Sequence, residues 1–206
     1  MQIDHVILGV QSFDEAAGRI DRELGLDSLD GGWHPGSGTG NRIVPLGPNY
    51  VELLGVVDQA EAQRSHLGRH LQQQVALGDR LIGWCMASND LDRLAVRLGI
   101  TPTSGSRERP DGTTLRWRFA GLEVAMSEPC LPFFIAWEVP EDQHPGRGTA
   151  QHREVPLGIA WVHVSGDRSR IRSWLGAEDP AVRVSSGQPG LLAVGIATYD
   201  GEIVLR

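Results

Sequence analysis

The chain has 206 residues, a formal net charge of −7 and a hydrophobic fraction of 40%, which is enough apolar material for a folded core. An acidic chain lacks the basic surface that phosphate backbones require and is repelled by anionic lipid, so a generic nucleic-acid or membrane partner is disfavoured. All 19 basic residues are arginine. The absence of lysine excludes Schiff-base chemistry and the lysine of a phosphate-binding loop.

The N-terminal segment has neither a basic region nor a long apolar stretch, and no segment approaches the roughly 20 apolar residues of a membrane span. We therefore expect a cytoplasmic protein. Its two cysteines, Cys85 and Cys130, are far apart and outside any Cys-x-x-Cys pattern. In the cytosol this predicts two reduced, buried thiols.

Three segments share one pattern: a short apolar, β-branched run, a polar capping residue, an amphipathic stretch and a closing Leu-Gly pair. The closing glycine suits the left-handed conformation at a helix C-terminus. The sequence therefore predicts one strand–helix unit used three times. The predicted strands and helices are 3–8 with 12–25, 82–87 with 89–99, and 159–164 with 167–176.

The segments that follow these helices are predicted strands, joined by turns rich in Gly, Pro, Asn and Asp. A further helix is predicted for 58–77, with Leu67, Leu71 and Val75 on one stripe, and 138–154 is a predicted loop. The strands and turns are 41–46, Gly47-Pro48-Asn49, 50–54, Pro110-Asp111-Gly112, 114–120, 131–137, 191–198, Tyr199-Asp200-Gly201 and 202–205.

Strands outnumber helices, which favours an α+β fold with a largely antiparallel, cup-shaped sheet and helices on its outer face. We expect a single domain over the whole chain. It comprises a first module at 1–57, a connecting helix at 58–79, a second module at 80–138 and a third, partial module at 155–206. A small-molecule ligand would occupy the cup.

Six motifs follow one another along the chain: Asp4-His5, the segment 34–42, the segment 50–54, Gly83-Trp84, 109–112 with 115–118, and 131–135. Their order and spacing resemble the glyoxalase-like domain family of the vicinal oxygen chelate superfamily. The resemblance implies paired βαβββ modules that form a cup. Many members hold a divalent metal there with a His from a first strand and a Glu from a last strand. It implies a metal-dependent lyase or isomerase acting through an enediolate, or a metal-free binding or sequestering protein.

His5 and Glu52 match the ligand pair of one module, and Glu52 is also the candidate proton-transfer base. An imidazole and a carboxylate suit Zn²⁺, Fe²⁺, Ni²⁺ or Mn²⁺. A buried His–Glu hydrogen bond, or a pair facing water, is the alternative. In the other two units Trp84 and Trp161 stand at the position of His5, which departs from the metal pattern. Either His163, on the same face as Trp161, or Glu202 in the final hairpin could complete the site, and His163 is the candidate third ligand.

The glycine-rich segment 34–42 begins with the pattern His-Pro-Gly-x-Gly-Thr, which recurs at 144–149. Either the two loops offer backbone N–H groups and two imidazoles to a ligand, or they simply shape turns. In the strand 114–120, alternation leaves two options. Either the arginines face the cup and clamp an anion, or Trp117 packs on a ligand ring and the arginines are solvated. The candidate ligand-binding residues are His34, Thr39, Asn41, Arg42, Trp84, Arg116, Trp117, Phe134 and Trp161.

Three units leave one without a counterpart inside the chain. This makes a homodimer, in which units pair across two chains, a hypothesis that the sequence alone leaves open.

Overall fold

The computed structural model describes residues 1–109 and 112–206, so the turn predicted at Pro110 and Asp111 lies outside the described residues. None of the described helices is long and apolar enough to cross a membrane. The elements are β1 Gln2–Gly9, α1 Phe13–Leu24, β2 Leu29–His34, β3 Thr39–Pro45, β4 Tyr50–Val56, α2 Gln59–Arg64, α3 His66–Gln74, β5 Arg80–Ala87, α4 Leu91–Leu98, β6 Thr103–Glu108, β7 Thr114–Ala120, α5 Leu122–Ser127, β8 Phe133–Trp137, β9 Pro156–Ser165, α6 Arg168–Leu175, β10 Val182–Ser185, β11 Gly190–Thr198 and β12 Gly201–Leu205.

The first eight strands close into a barrel in the order β1-β4-β3-β2-β6-β7-β8-β5. Its two halves, β1 to β4 and β5 to β8, meet at two seams. At one seam β1 runs antiparallel to β5, with His5 opposite Cys85. At the other, β2 and β6 pair only at Trp33 and Glu108. The predicted mixed α+β fold, with a curled sheet and helices outside, is confirmed. The sheet closes fully because both edge strands of each half find a partner.

The last four strands form a separate sheet in the order β10-β9-β11-β12. Here β9 lies between a parallel neighbour, β10, and an antiparallel one, β11. This sheet and its helix α6 pack on the outside of the barrel. The indole of Trp174 donates to the Pro132 carbonyl at 2.8 Å, and its ring centroid lies 5.9 Å from that of Phe134. The third unit therefore contributes nothing to the barrel interior.

The helix of each repeated unit begins and ends close to its predicted bounds. Gly25, which follows α1, adopts φ 68°, a left-handed conformation that a residue with a Cβ rarely takes. The corresponding N-caps, all with side chains that accept from the first turn, are Ser12, Asp90 and Asp167, and the other C-caps are Gly99 and Gly176. Local capping signals thus fixed these boundaries.

The helix predicted for 58–77 is in fact two helices, α2 and α3, broken at Ser65. This residue is extended, with φ −93° and ψ 151°. Its hydroxyl accepts from the Gly68 N–H at 2.8 Å and donates to the Ser37 carbonyl at 2.8 Å. A tertiary contact to the loop before β3 therefore stabilises the break, which composition alone does not reveal. The predicted apolar stripe of α3 is retained, with Leu71 and Val75 buried.

Four short elements, β2, β6, β10 and α5, were not predicted. The sequences of β2 and β6, LDGGWH and TSGSRE, contain no apolar run, because these strands form the more polar seam of the barrel. The segment 138–154 is a loop as predicted, apart from 3-10 turns at Glu141–Gln143 and Pro145–Arg147.

Candidate functional site

The barrel encloses a cavity of about 320 Å³. Alternate residues of its strands face the cavity, as the period of two in a strand requires. One part of the lining, which we call the polar cluster, consists of His5, His34, Asn41, Tyr50, Glu52 and Arg107. The remainder, the apolar lining, includes Ile7, Leu54, Leu67, Trp117, Phe119, Leu122, Phe133, Ile135 and Trp137.

Asp4 and His5 are consecutive in β1, yet their side chains meet. The pairing of β1 with β5 shifts register between Ile3 and His5, and such an irregularity re-aims a side chain that would otherwise point to the opposite face. As a result, Asp4 Oδ1 lies 2.6 Å from His5 Nδ1. Its Oδ2 accepts from Trp137 Nε1 at 3.0 Å and lies 3.2 Å from His144 Nε2.

Burial raises the pKa of the Asp4 carboxyl, but hydrogen bonds and charge interactions with His144 and His5 outweigh burial and hold this pKa well below its usual range. Asp4 is therefore ionised at neutral pH. A fixed carboxylate at Nδ1 orients the His5 ring and leaves its Nε2 directed at Glu52.

Glu52 faces two imidazoles at once. Its Oε2 lies 3.9 Å from His5 Nε2, and its Oε1 lies 3.9 Å from His34 Nε2. The Nδ1 atom of His34 is held 3.1 Å from the Thr39 hydroxyl, as that of His5 is held by Asp4. Burial lowers the pKa of His34, only partly opposed by the Glu52 charge, so this ring is neutral at pH 7. Both rings thus present Nε2 to one carboxylate.

Asn41 connects Glu52 with a buried cation. Its Nδ2 donates to Glu52 Oε1 at 2.5 Å, and its Oδ1 accepts from Arg107 at 2.6 Å. Tyr50 stacks on the His5 ring with centroids 4.6 Å apart. Burial, followed by the neighbouring carboxylate charges, raises the pKa of the Tyr50 phenol well above its usual value, so it remains protonated.

The structure brings several of the sequence-predicted residues together. His5, Glu52, His34 and Asn41 belong to the polar cluster, and Thr39 lies directly behind His34. Trp117 faces the cavity, with its ring centroid 6.5 Å from that of His34. Of the two options for the strand 114–120, the indole thus faces inward, whereas Arg116 is exposed.

Two predicted ligand-binding residues lie on the outward face of barrel strands. Trp84 and Phe134 are fully buried in the core between the barrel and the surrounding helices, and Trp84 Nε1 donates to the Cys130 carbonyl. Trp84, which the repeated pattern aligns with His5, therefore faces away from the cavity, and Cys85 is the residue paired with His5 across the two strands. Likewise, Phe133 and not Phe134 reaches the cavity.

Three further predicted residues are also elsewhere. Arg42 binds Ser28 and Asp30 outside the barrel. Trp161 and His163 lie in the separate sheet, where Trp161 donates to Glu202 and His163 contacts Ser185. The predicted triad of His5, Glu52 and His163 does not form, because the third unit packs outside the barrel. In the separate sheet, Trp161 Nε1 lies 2.6 Å from Glu202 Oε2, and His163 Nε2 lies 3.0 Å from the Ser185 hydroxyl oxygen.

Sequence reasoning missed the roles of Asp4, Tyr50 and Arg107, and it did not foresee that Trp137 and His144 contact Asp4. Asp4 belongs to the same motif as His5, and Tyr50 to the same motif as Glu52, so the sequence pattern already included both positions. His144 stood in the loop motif His-Pro-Gly-x-Gly-Thr that also occurs at residue 34. No local signal pointed to Arg107, because β6 has no alternating pattern.

The donor atoms of the polar cluster fit a divalent metal in type. Two imidazole nitrogens and a carboxylate suit the metals named above, and ligating histidines have their second nitrogen held by the protein, as both rings do here. A second group, Asp4, His5 and Cys85, has donor atoms within 4.8 Å of one another. It fits less well, because Asp4 already has three partners and burial raises the pKa of the Cys85 thiol.

The second half of the barrel adds no further ligand of this kind. Among the residues that the structure describes, β7 and β8 contribute only aromatic and aliphatic side chains to the cavity. By residue type the candidate metal ligands are therefore His5, His34 and Glu52, all from the first half, although their donor atoms do not all lie within 4.8 Å of one another in this structure.

Comparison with known proteins gives a family match and several structural likenesses. A hypothetical protein from Staphylococcus aureus is 16% identical, with 92% of this chain and 88% of that chain covered and a TM-score of 0.68. Methylmalonyl-CoA epimerase from Mycobacterium tuberculosis is 17% identical over 68% of this chain and 89% of that chain, with a TM-score of 0.48. A Streptomyces coelicolor methylmalonyl-CoA epimerase variant in complex with 2-nitronate-propionyl-CoA is 14% identical over 66% and 93%, with a TM-score of 0.47.

No curated protein matches the chain. The likeness to the Staphylococcus aureus protein shows a common fold. The model of the glyoxalase-like domain matches residues 3–178, which is most of the sequence. The chain therefore belongs to the glyoxalase-like domain family.

Proposed function

We propose that this protein is an isomerase or lyase that moves a proton beside a carbonyl group of an oxygenated small molecule bound in the barrel. The observation that supports this is Glu52, a carboxylate only 7% exposed that faces a cavity between two imidazole Nε2 atoms. Burial of a carboxylate costs free energy, and an interior that served only for packing would be expected to contain apolar side chains instead.

Glu52 is the group that takes and returns the proton. Asn41 occupies its Oε1, so Oε2, on the side of His5, is the oxygen free to accept a proton from substrate carbon. Loss of that proton places negative charge on the carbonyl oxygen of the substrate, giving an enolate, or an enediolate where the same carbon also carries a hydroxyl. The apolar lining excludes water around this charge, which strengthens its interaction with every polar group nearby.

A divalent metal on His5, His34 and Glu52 would supply electrostatic stabilisation of two neighbouring substrate oxygens, and the Glu52 carboxylate would have to leave the metal in order to take the proton. The chain's own contribution is orientation of the donors. Asp4 and Thr39 hold the two Nδ1 atoms, and Asn41 holds the carboxylate.

Proton transfer is tested by hydrogen exchange into substrate carbon. The protein is incubated in D₂O with a panel of α-hydroxyketones, 2-oxoaldehyde hemithioacetals and oxo acids, and deuterium incorporation is followed by proton NMR. We expect exchange beside the carbonyl of at least one compound, lowered about 100-fold or more in Glu52→Gln. Glu123→Gln, an exposed carboxylate of α5, is the matched control. Exchange equal to that in buffer, or equal in Glu52→Gln, would overturn the proposal.

Metal binding is tested separately from activity. The protein is equilibrated with Zn²⁺, Fe²⁺, Ni²⁺ or Mn²⁺, freed of loosely bound ions, and its metal content is measured. We expect about one ion per chain, lost in His34→Ala and in Glu52→Gln. His163→Ala is the control, because His163 lies in the separate sheet. Retention of the ion in His34→Ala would contradict the ligand set.

The apolar lining favours a second candidate function, binding without catalysis. Trp117, Phe119 and Phe133 present aromatic faces and edges to the cavity, which suits a flat apolar ligand. Under this function aromatic compounds quench tryptophan fluorescence, while neither exchange nor metal binding is detected.

A further inference from the structure

Arg107 is a buried cation without a described counter-ion. The residue is 3% exposed, lies on β6 and lines the cavity. One of its terminal nitrogens donates to Asn41 Oδ1, a neutral acceptor. Among residues 1–109 and 112–206, no carboxylate oxygen lies within 4.0 Å of its guanidinium. A buried guanidinium left in this state is costly, because it carries five N–H donors and a full charge.

The unused donors of Arg107 face the cavity. No fully buried polar side-chain atom of the described residues lacks a hydrogen-bond partner. Within the described part of the chain the side chain makes one hydrogen bond, to Asn41, so its other nitrogens are not fully buried, and the cavity that Arg107 lines is the space open to them. They are therefore available to a bound molecule.

The neighbouring strand β2 is shaped to admit this side chain. A Cβ on Gly31 would clash with Asn41 Oδ1 and lie 2.7 Å from an Arg107 terminal nitrogen. A Cβ on Gly32 would clash with the Glu108 carbonyl oxygen and lie 2.8 Å from Arg107 Cγ. Gly32 also has φ 154°, a conformation that side chains disfavour. Two glycines in succession thus leave the room through which Arg107 reaches the cavity.

Asn41 keeps Arg107 and Glu52 apart. A direct ion pair would occupy both groups, whereas the amide accepts from one and donates to the other. The cation and the carboxylate consequently lie on either side of a single amide group. Each retains atoms that a substrate can contact, and one small molecule can contact both.

We infer that Arg107 binds a carboxylate of the substrate, so that the substrate class is a small organic acid that also carries a carbonyl group. The guanidinium fork matches a carboxylate in bidentate fashion. Binding there places the neighbouring C–H bonds beside Glu52, and the rest of the molecule packs on Trp117 and Phe119. This inference rests on the proposed function for the fate of the proton, and its binding part is tested independently.

The probes are phenylacetate and its neutral isostere phenylacetamide, with affinities measured by ligand-observed NMR at constant ionic strength. We expect the wild-type protein to bind the carboxylate at least about 10-fold more tightly, since charged hydrogen bonds are the stronger ones. In Arg107→Met this preference is lost while the amide still binds. Arg116→Met, an exposed arginine on the adjacent strand, is the matched control and keeps the preference.

Arg107→Lys keeps the charge without the fork and is expected to keep part of the preference, which separates recognition from folding. As a second readout, the melting temperature of the protein is compared in acetate and in acetamide. Neither compound has an aromatic ring that the cavity must accommodate. The inference is overturned if the wild type shows no preference in either assay, or if Arg107→Met retains it. Loss of exchange in the D₂O assay with an intact carboxylate preference would instead overturn the proposed function alone.

Discussion

Asp4 is the residue that fixes the geometry of the polar cluster. It is 3% exposed and accepts from, or contacts, three ring nitrogens, those of His5, Trp137 and His144. Trp137 belongs to β8 and His144 to the loop that follows, so one carboxylate connects both halves of the barrel. Removal of its charge should therefore affect both stability and the orientation of His5.

We expect Asp4→Asn to lower the free energy of unfolding by roughly 2–4 kcal/mol at pH 7, because buried partners lose charged hydrogen bonds. Denaturant titration followed by circular dichroism measures this loss. Asp92→Asn is the control, since Asp92 pairs with Arg118 on the surface, and little change is expected. Equal effects of the two substitutions would show that Asp4 has no special structural role.

The two cysteines, both free and buried, should be inert in the folded protein. Burial is the first cause that raises the pKa of both the Cys85 and the Cys130 thiol, and neighbouring carboxylates add to it. The reactive thiolate is therefore scarce at neutral pH. We expect iodoacetamide to label neither cysteine within hours at pH 7.5, and both in denaturant. Rapid labelling of native Cys85 would show that the interior opens readily.

At the scale of elements, the break between α2 and α3 connects the start of α3 to the loop before β3. Ser65 caps α3 and also bonds the Ser37 carbonyl, close to Pro35 and Ser37 of the cavity lining. The hydrogen bonds of Ser65 therefore help to position Leu67, a residue of α3 that lines the cavity.

Ser65→Ala should destabilise the protein by about 1 kcal/mol, the usual cost of losing an N-cap. Ser12→Ala is the comparison, because the Ser12 hydroxyl lies 3.4 Å from the Glu15 N–H and makes the weaker cap. We expect the Ser65 substitution to cost more in thermal unfolding. A larger effect at Ser12 would mean that the second bond of Ser65, to Ser37, contributes nothing.

At the scale of the whole molecule, the separate sheet and the barrel share one hydrophobic core. Side chains of α6 and β11 pack with Trp84 and Phe134 in a single buried cluster. Trp174 is central to this contact, being 3% exposed and bonded to the Pro132 carbonyl.

We expect Trp174→Ala to lower the free energy of unfolding by about 3–5 kcal/mol, because it leaves a large cavity in the shared core. The barrel and the sheet should still unfold in one transition, and hydrogen exchange measured at β1 and at β9 would test this. Loss of protection at β9 while β1 remains protected would show that the two sheets are independent units.

The sequence by itself determined the repeated strand–helix units, their helix caps and the hairpins around Gly47 and Tyr199. These features depend on neighbours within a few residues, so local patterns contain the information. The resemblance likewise placed His5, Glu52, His34 and Asn41 as site candidates, and the structure assembles all of them around one cavity.

Only the tertiary structure decided which face of each strand lines the cavity. Alternation along a strand has two phases, and a shift of one residue exchanges them, as at Trp84 and Cys85. The barrel closes without the third unit, so His163 lies outside the site. Closure also places Arg107, from a strand without an alternating pattern, beside Asn41. Such outcomes depend on packing between distant segments, and that packing is absent from any local stretch of sequence.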